Sequence, residues 1–182
     1  TGTSMKFFVI ALFSVIIITS LSAQIPTDGL VAWYPFNGNA RDSSGNGYNG
    51  TINGATFVTG RFSPPDSALY FSGGSTSYVT TLNSQNIVLN DSFTICFWIK
   101  FQGGGEIIEK DIIGSYSYDW DIKADTSGKV GFEFGNTIMW SNGNIKNYNW
   151  HHIVFVRIRS TGIAKFYLDG VLDKEEGNHY NN

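Results

Sequence analysis

Cysteine is almost absent. The 182 residues contain one, Cys96, so the chain cannot form an internal disulfide, and its stability must come from a core, a bound metal or both. Proline is scarce at four, against 21 glycines, so glycine and asparagine do most of the punctuation. Charged residues make up only 15% and the net charge is −3, so no basic surface argues for nucleic acid or an anionic membrane. Outside the first residues, apolar positions nowhere recur at helical spacing over three turns. There is no fixed-period repeat, no Pro- or Ser-rich linker and no charge run. Gly103–Gly105 are not followed by the Lys-Ser/Thr of a phosphate loop, and no Ser-His-Asp or Cys-His arrangement is legible.

What is present is aromatic and strand-like. Phe, Tyr and Trp make up 15% of the chain. Strands are expected at Leu30–Phe36, ended by Pro35, in "TINGATFV" and "ALYFSG", and in "SYVTTL". "SFTICFWIKF" puts Phe93, Ile95, Phe97 and Ile99 on one face and Thr94, Cys96, Trp98 and Lys100 on the other. "YDWDIK" and "KVGFEFG" alternate in the same way. "WHHIVFVRIRS" and "IAKFYLDG" form a late pair, with Asp169-Gly170 as a hairpin turn. This spacing of short strands and turns predicts an all-β sandwich or barrel. Cys96, set among apolar residues, is expected to be a buried, inert thiol.

The chain starts with a segment that reads as a leader. Thr1–Ser4 precede Met5-Lys6, an apolar run covers Phe7–Ile18, and the small residues up to Ala23 suggest cleavage there. The run is short for a membrane span. The expected organisation is therefore upstream residues 1–4, a signal peptide at 5–23 and one domain at 24–182, secreted or at the cell surface.

"FNGNARDSSGNGYNGTINGA", Phe36–Ala55, contains four Asn-Gly pairs. Such residues dominate turns, and turn formation alone explains them. Asp42, Ser44 and Asn46 also repeat the alternate-oxygen spacing of the first half of a calcium loop, with Gly47 for the bend. The second half does not follow, since the twelfth position is Asn53. Zinc and copper lack nearby His or Cys.

"GLVAWYPFNGNARDSSGNGYNGTINGA", "FTICFWIK" and "WHHIVFVRIRSTGIAKFYLDGVL", in that order and spacing, resemble the laminin-G-like domains of the concanavalin A-type. The resemblance spans nearly all of the chain after the leader. It implies an antiparallel two-sheet jelly-roll sandwich. It also implies a binding role toward carbohydrate or another extracellular polymer, with one structural calcium to which Asp42, Ser44 and Asn46 would contribute. Such domains usually close with a further acidic strand after the "YLDG" hairpin. Here the sequence stops at "EEGNHYNN", so the expectation is an incomplete domain within a larger polypeptide.

His151 and His152 are adjacent in a strand and point to opposite faces, so packing and hydrogen bonding are expected of them rather than a shared metal. Some jelly rolls of this shape are glycoside hydrolases, which need two carboxylates flanking the bond. Glu109 with Asp111, and Asp119 with Asp121, read better as solvated strand faces or partners of Lys. Sugar binding needs open ring faces beside polar groups. Tyr116, Trp140 and Tyr148, in polar turn-like stretches, are the candidates, whereas Trp33, Trp98 and Trp150 are expected in the core. The expected function is a secreted, non-catalytic module for a polysaccharide or an extracellular glycan or protein. A protein-binding adhesion module and a hydrolase of the same fold are the alternatives. Neither nucleic acid nor, after leader cleavage, a membrane is expected as a partner.

Overall fold

The structure, a computed structural model, describes residues 25–81, 87, 89, 91–110, 120–134 and 137–177. The leader at 5–23, Asp111, Tyr116, Asp119 and the last five residues lie outside them. Residues 1–30 and 31–182 form two units. In the first, Leu30 N–H donates to Thr27 O at 3.3 Å and closes a turn.

The second unit contains, in order, β1 (Gly50–Asn53), β2 (Thr56–Val58), β3 (Ala68–Tyr70), β4 (Tyr78–Thr81), β5 (Phe93–Lys100), β6 (Gly105–Lys110), β7 (Trp120–Ala124), β8 (Val130–Phe134), β9 (Thr137–Trp140), β10 (Trp150–Ile158), β11 (Ile163–Leu168) and β12 (Val171–Glu176). No helix occurs among the described residues. Two four-stranded antiparallel sheets, β12-β11-β10-β5 and β6-β7-β8-β9, carry the core; β1-β4 and β2-β3 are two-stranded ribbons.

The two-residue period decides the faces. β10 buries His151, Ile153, Phe155 and Arg157, and its register sets Ile153 opposite Phe97 and Phe155 opposite Ile95. From the other sheet come Ile122, Val130, Phe132 and Met139. The sheets meet through rings. Phe132 of β8 stacks on Phe155 of β10 with centroids 3.9 Å apart at 14°. Phe93 lies 5.8 Å from Phe132 and 5.9 Å from Phe155, and Phe166 meets Phe155 edge-on at 5.3 Å. This is the expected antiparallel two-sheet sandwich. The β11–β12 hairpin turns on Asp169 (φ 53°) and Gly170 (φ 82°), as two left-handed central positions require.

Four expectations change. Residues 31–36 form no strand. Pro35 has no N–H, Phe36 adopts φ 53°, and Trp33 bonds to the following turn stretch instead of a sheet. "TINGATFV" is two strands, not one: Gly54 turns at φ 64°, where an added Cβ would lie 2.1 Å from Thr76 O. Cys96 is exposed rather than buried. Trp98 and Trp33 are exposed as well, and Trp150 is half-buried. For Cys96 and Trp98 the reason is parity, because they share the outward face with Thr94 and Lys100. Apolar character alone misplaced them.

Candidate functional site

Asp42 organises the turn-rich stretch. Its Oδ1 accepts from Trp33 N–H at 3.0 Å and Ser44 N–H at 2.9 Å. Its Oδ2 accepts from the Ser44 hydroxyl at 2.8 Å and Tyr48 N–H at 3.1 Å. Asn46 Nδ2 donates to Val31 O at 2.9 Å, and the Tyr34 hydroxyl donates to Tyr48 O at 2.6 Å. Burial and the Asp42 charge push that hydroxyl up to about 12. Asp42, Ser44 and Asn46 are thus brought together, but the carboxylate is saturated by hydrogen donors. Donors aimed at both oxygens are the reverse of a calcium shell, which needs those lone pairs. As arranged, the Asp42 carboxylate is spent on the loop's own donors, and no group of three acids, His or Cys placed to hold a metal exists among the described residues.

Burial would raise the Asp42 carboxyl, but the bonds from Trp33, Ser44 and Tyr48 outweigh it and hold it below the usual range. A lowered folded value contributes stability above the unfolded value of ~3.9, and that stability is lost as pH falls through the folded value. Asp42→Asn is therefore expected to cost about 1–2 kcal/mol at neutral pH, after discounting for solvent competition, and progressively less below about pH 4. Urea unfolding at neutral and acid pH measures this. A calcium-induced rise in Tm that disappears in Asp42→Asn would reinstate the ion.

The outer face of β6–β9 is built differently. Cross-strand register sets Glu109, Asp121 and Glu133 side by side on β6, β7 and β8, with Ile138 of β9 beyond. The next row runs Glu106, Lys123, Gly131, Trp140. The Lys123 ammonium holds Asp121 at 3.2 Å and also pairs with Glu133. Burial is the main cause that raises the Glu106 carboxyl, reinforced by the charges of Asp121, Glu109 and Glu133 against Lys123. Burial likewise raises Asp121, more than Lys123 lowers it. Trp140 ends β9, and its six-membered ring lies over Gly131, where a Cβ would come within 2.9 Å of Trp140 Cε3. Glycine there is what seats the indole against the sheet beside the carboxylates.

Tyr148 stands on the β9–β10 connection. This segment is pinned at one end by Asp173, which accepts from Asn142 N–H at 2.6 Å and Gly143 N–H at 2.8 Å. At the other end Asn147 Oδ1 faces His151 Nε2 at 2.9 Å and accepts from Asn149 N–H at 3.0 Å. His151 Nδ1 meets Asp169 Oδ2 at 2.8 Å, while His152 stacks on Trp98 at 4.9 Å, so the two histidines pack and bond on opposite faces. Burial would raise Asp169, but bonds from His152 N–H and His151 and their charges hold it low. Between these anchors Tyr148 sits 65% exposed at φ 65°. Left-handed backbone on a bulky residue is strained by about 1–3 kcal/mol and persists only where its surroundings impose it.

Of the ring candidates, Trp140 and Tyr148 are therefore placed on separate elements, and Tyr116 lies outside the described residues. The expectation for Asp121 as an ion partner of Lys holds. The carboxylate rows run across strands, so no single strand of the sequence shows them. The available signal is shared parity: Asp121 and Glu133 each lie between inward aromatic or aliphatic neighbours, on strands joined by the tight turn that Asp125 and Lys129 close.

No curated protein matches the chain in sequence. Among solved structures it is similar to the botulinum neurotoxin serotype G binding domain, at TM-score 0.59 and 19% identity, over 75% of this chain and 36% of that one. It is also similar to an S-layer domain-containing protein from Clostridium thermocellum ATCC 27405, at TM-score 0.49 and 21% identity, over 80% of this chain and 71% of that one. A Ruminococcus gnavus sialidase CBM40, solved bound to α2,3-sialyllactose, aligns at TM-score 0.45 and 11% identity, over 71% of this chain and 65% of that one. The chain thus spans about a third of the toxin domain's length. Residues 71–181 match the laminin-G-type family described as the concanavalin A-like lectin/glucanases superfamily, and the chain belongs to that family.

Proposed function

We propose that this domain is a non-catalytic carbohydrate-binding module that holds a polysaccharide against the outer face of β6–β9. The observation that carries the reading is Trp140, seated over Gly131 next to Glu133, the near end of the Glu109–Asp121–Glu133 row, with Lys123 and then Glu106 farther along its own row. An indole stacks on the C–H face of a sugar, and flanking carboxylates accept its hydroxyls. Tyr148, held outward on a pinned segment, is a second contact with little conformational freedom left to lose. The lectin-containing superfamily supports this, as does the pairing of Lys123 with both Asp121 and Glu133. Those two acids are engaged in ion pairs instead of standing ready as an acid and a nucleophile. The leader pattern supports export, and a module of this kind would deliver a larger polypeptide to a glycan. The Asp42 bonds favour a loop that needs no calcium.

Affinity electrophoresis through gels containing neutral polysaccharides tests the reading, with retardation expected in at least one gel. If no glycan retards the protein, the adhesion reading takes its place. Release of reducing ends from a β-glucan that vanishes in Glu109→Gln would make it a hydrolase instead.

A further inference from the structure

The opposite sheet carries a feature that glycan binding at Trp140 does not use. Arg61 and Phe62 are the central residues of a turn closed by Ser63 N–H on Gly60 O at 3.1 Å. Gly60 N–H donates to Ser67 Oγ at 3.0 Å, and a Cβ at Gly60 would lie 2.5 Å from that oxygen, so the turn is packed against its own loop. The Arg61 guanidinium carbon sits 3.7 Å from the Phe62 ring centroid and 3.9 Å from that of Trp98. His152 stacks on Trp98 at 4.9 Å and 24°. Lys100 lies on the same exposed face of β5, two residues beyond Trp98. Among the described residues no carboxylate forms an ion pair with Arg61.

Two rings approach the guanidinium, which leaves its in-plane N–H edge as the polar surface. That edge is a planar fork that matches a carboxylate in bidentate fashion, and Arg61 is exposed, so the fork is open to a ligand. Phe62, 73% exposed, offers an apolar face next to the fork. A ligand that uses both needs a planar anion joined to an apolar C–H face. We propose that the Arg61–Phe62 turn and Trp98 form a second binding site, for a carboxylate-bearing sugar of the uronic acid type. The site is cationic on a chain of net charge −3, and it is separate from the carboxylate rows of β6–β9. A bare phosphate would satisfy the charge and leave Phe62 unused.

Calorimetry with galacturonic acid oligomers, the same oligomers as methyl esters, and inorganic phosphate tests this on the whole chain. The acid oligomers are expected to bind, and the methyl esters to bind at least tenfold more weakly. Arg61→Lys keeps the charge but loses the fork, and is expected to weaken acid-oligomer binding at least tenfold with Tm unchanged. Phe62→Ala is expected to weaken it severalfold. Equal affinity for the esters or in Arg61→Lys, phosphate binding as tight as the oligomer, or no binding of the oligomer at all would overturn the site. Binding lost in Trp140→Ala yet kept in Arg61→Lys would assign acidic sugars to β6–β9, sinking this proposal and sparing the other. Failure here with retention on neutral polysaccharide gels would leave the Trp140 reading standing alone.

Discussion

Phe132→Ala lowers the free energy of unfolding by about 4 kcal/mol, the range for a fully buried phenylalanine. Phe132 has no exposed surface, stacks on Phe155 at 3.9 Å, and lies 5.8 Å from Phe93 and 6.1 Å from Trp120. It is the ring through which β8 meets β5 and β10, so the cavity opens between two sheets that each have their own hydrogen-bond ladder. Neither sheet can collapse into the space without breaking its register, which puts the cost at the upper end. Most domains of this size are stable by only about 5–15 kcal/mol, so the variant is expected to fold but to unfold at a much lower urea concentration. An unchanged denaturant slope would attribute the shift to the native state. A loss below about 1 kcal/mol would mean that the sheets are not joined through this ring.

Under the proposed function, Trp140→Ala is expected to reduce retention on any polysaccharide that retards the wild-type protein by at least tenfold, equivalent to about 1.4 kcal/mol. Loss of one aromatic stacking face readily supplies that amount. Trp140→Phe keeps a smaller face and should retain part of the binding. Gly131→Ala makes a sharper test, because it removes no ligand contact. Its Cβ would come within 2.9 Å of the indole and of Ile138 Cδ1, so the ring must lift from the sheet. Weaker binding in that variant locates the effect in the seat of the indole. Unfolding free energies measured beside the binding data separate loss of the site from loss of the fold. Full binding by both Trp140→Ala and Gly131→Ala would move the glycan site away from this face.

Much of the sandwich was legible because alternation is a local signal. β5, β7, β8, β10 and β11 each show an apolar parity within a few residues, and the Asp169-Gly170 turn has a backbone requirement visible in two letters. β6 was legible only at Glu109, as a strand face shared with Asp111, and β9 was not legible at all. The first starts in a glycine run, and the second was hidden in a polar stretch, although Trp140 closes it. The strand expected at Leu30–Phe36 gave way to the Asp42 network, which no periodicity encodes. The site was less legible than the fold, since Trp140 and Tyr148 were found from their polar surroundings while Glu109, Asp121 and Glu133 became neighbours only through register. Register depends on turn geometry and on which strands pair, neither of which is contained within one strand.

β5 and β10 are neighbours in one ladder, paired from Lys100 opposite Trp150 to Phe93 opposite Arg157. Everything between Lys100 and Trp150, including the whole β6–β9 sheet, is one excursion that leaves and re-enters at the same end of that ladder. A polymer held at Trp140 and pulled would therefore draw on two strands that are already hydrogen-bonded to each other. Along the chain Trp140 reaches β10 through a single connection, whereas β5 lies beyond β8, β7 and β6, so a load entering β10 is passed to β5 across their ladder. Were a polysaccharide held at Trp140, that ladder would be the first part of the other sheet to carry the pull.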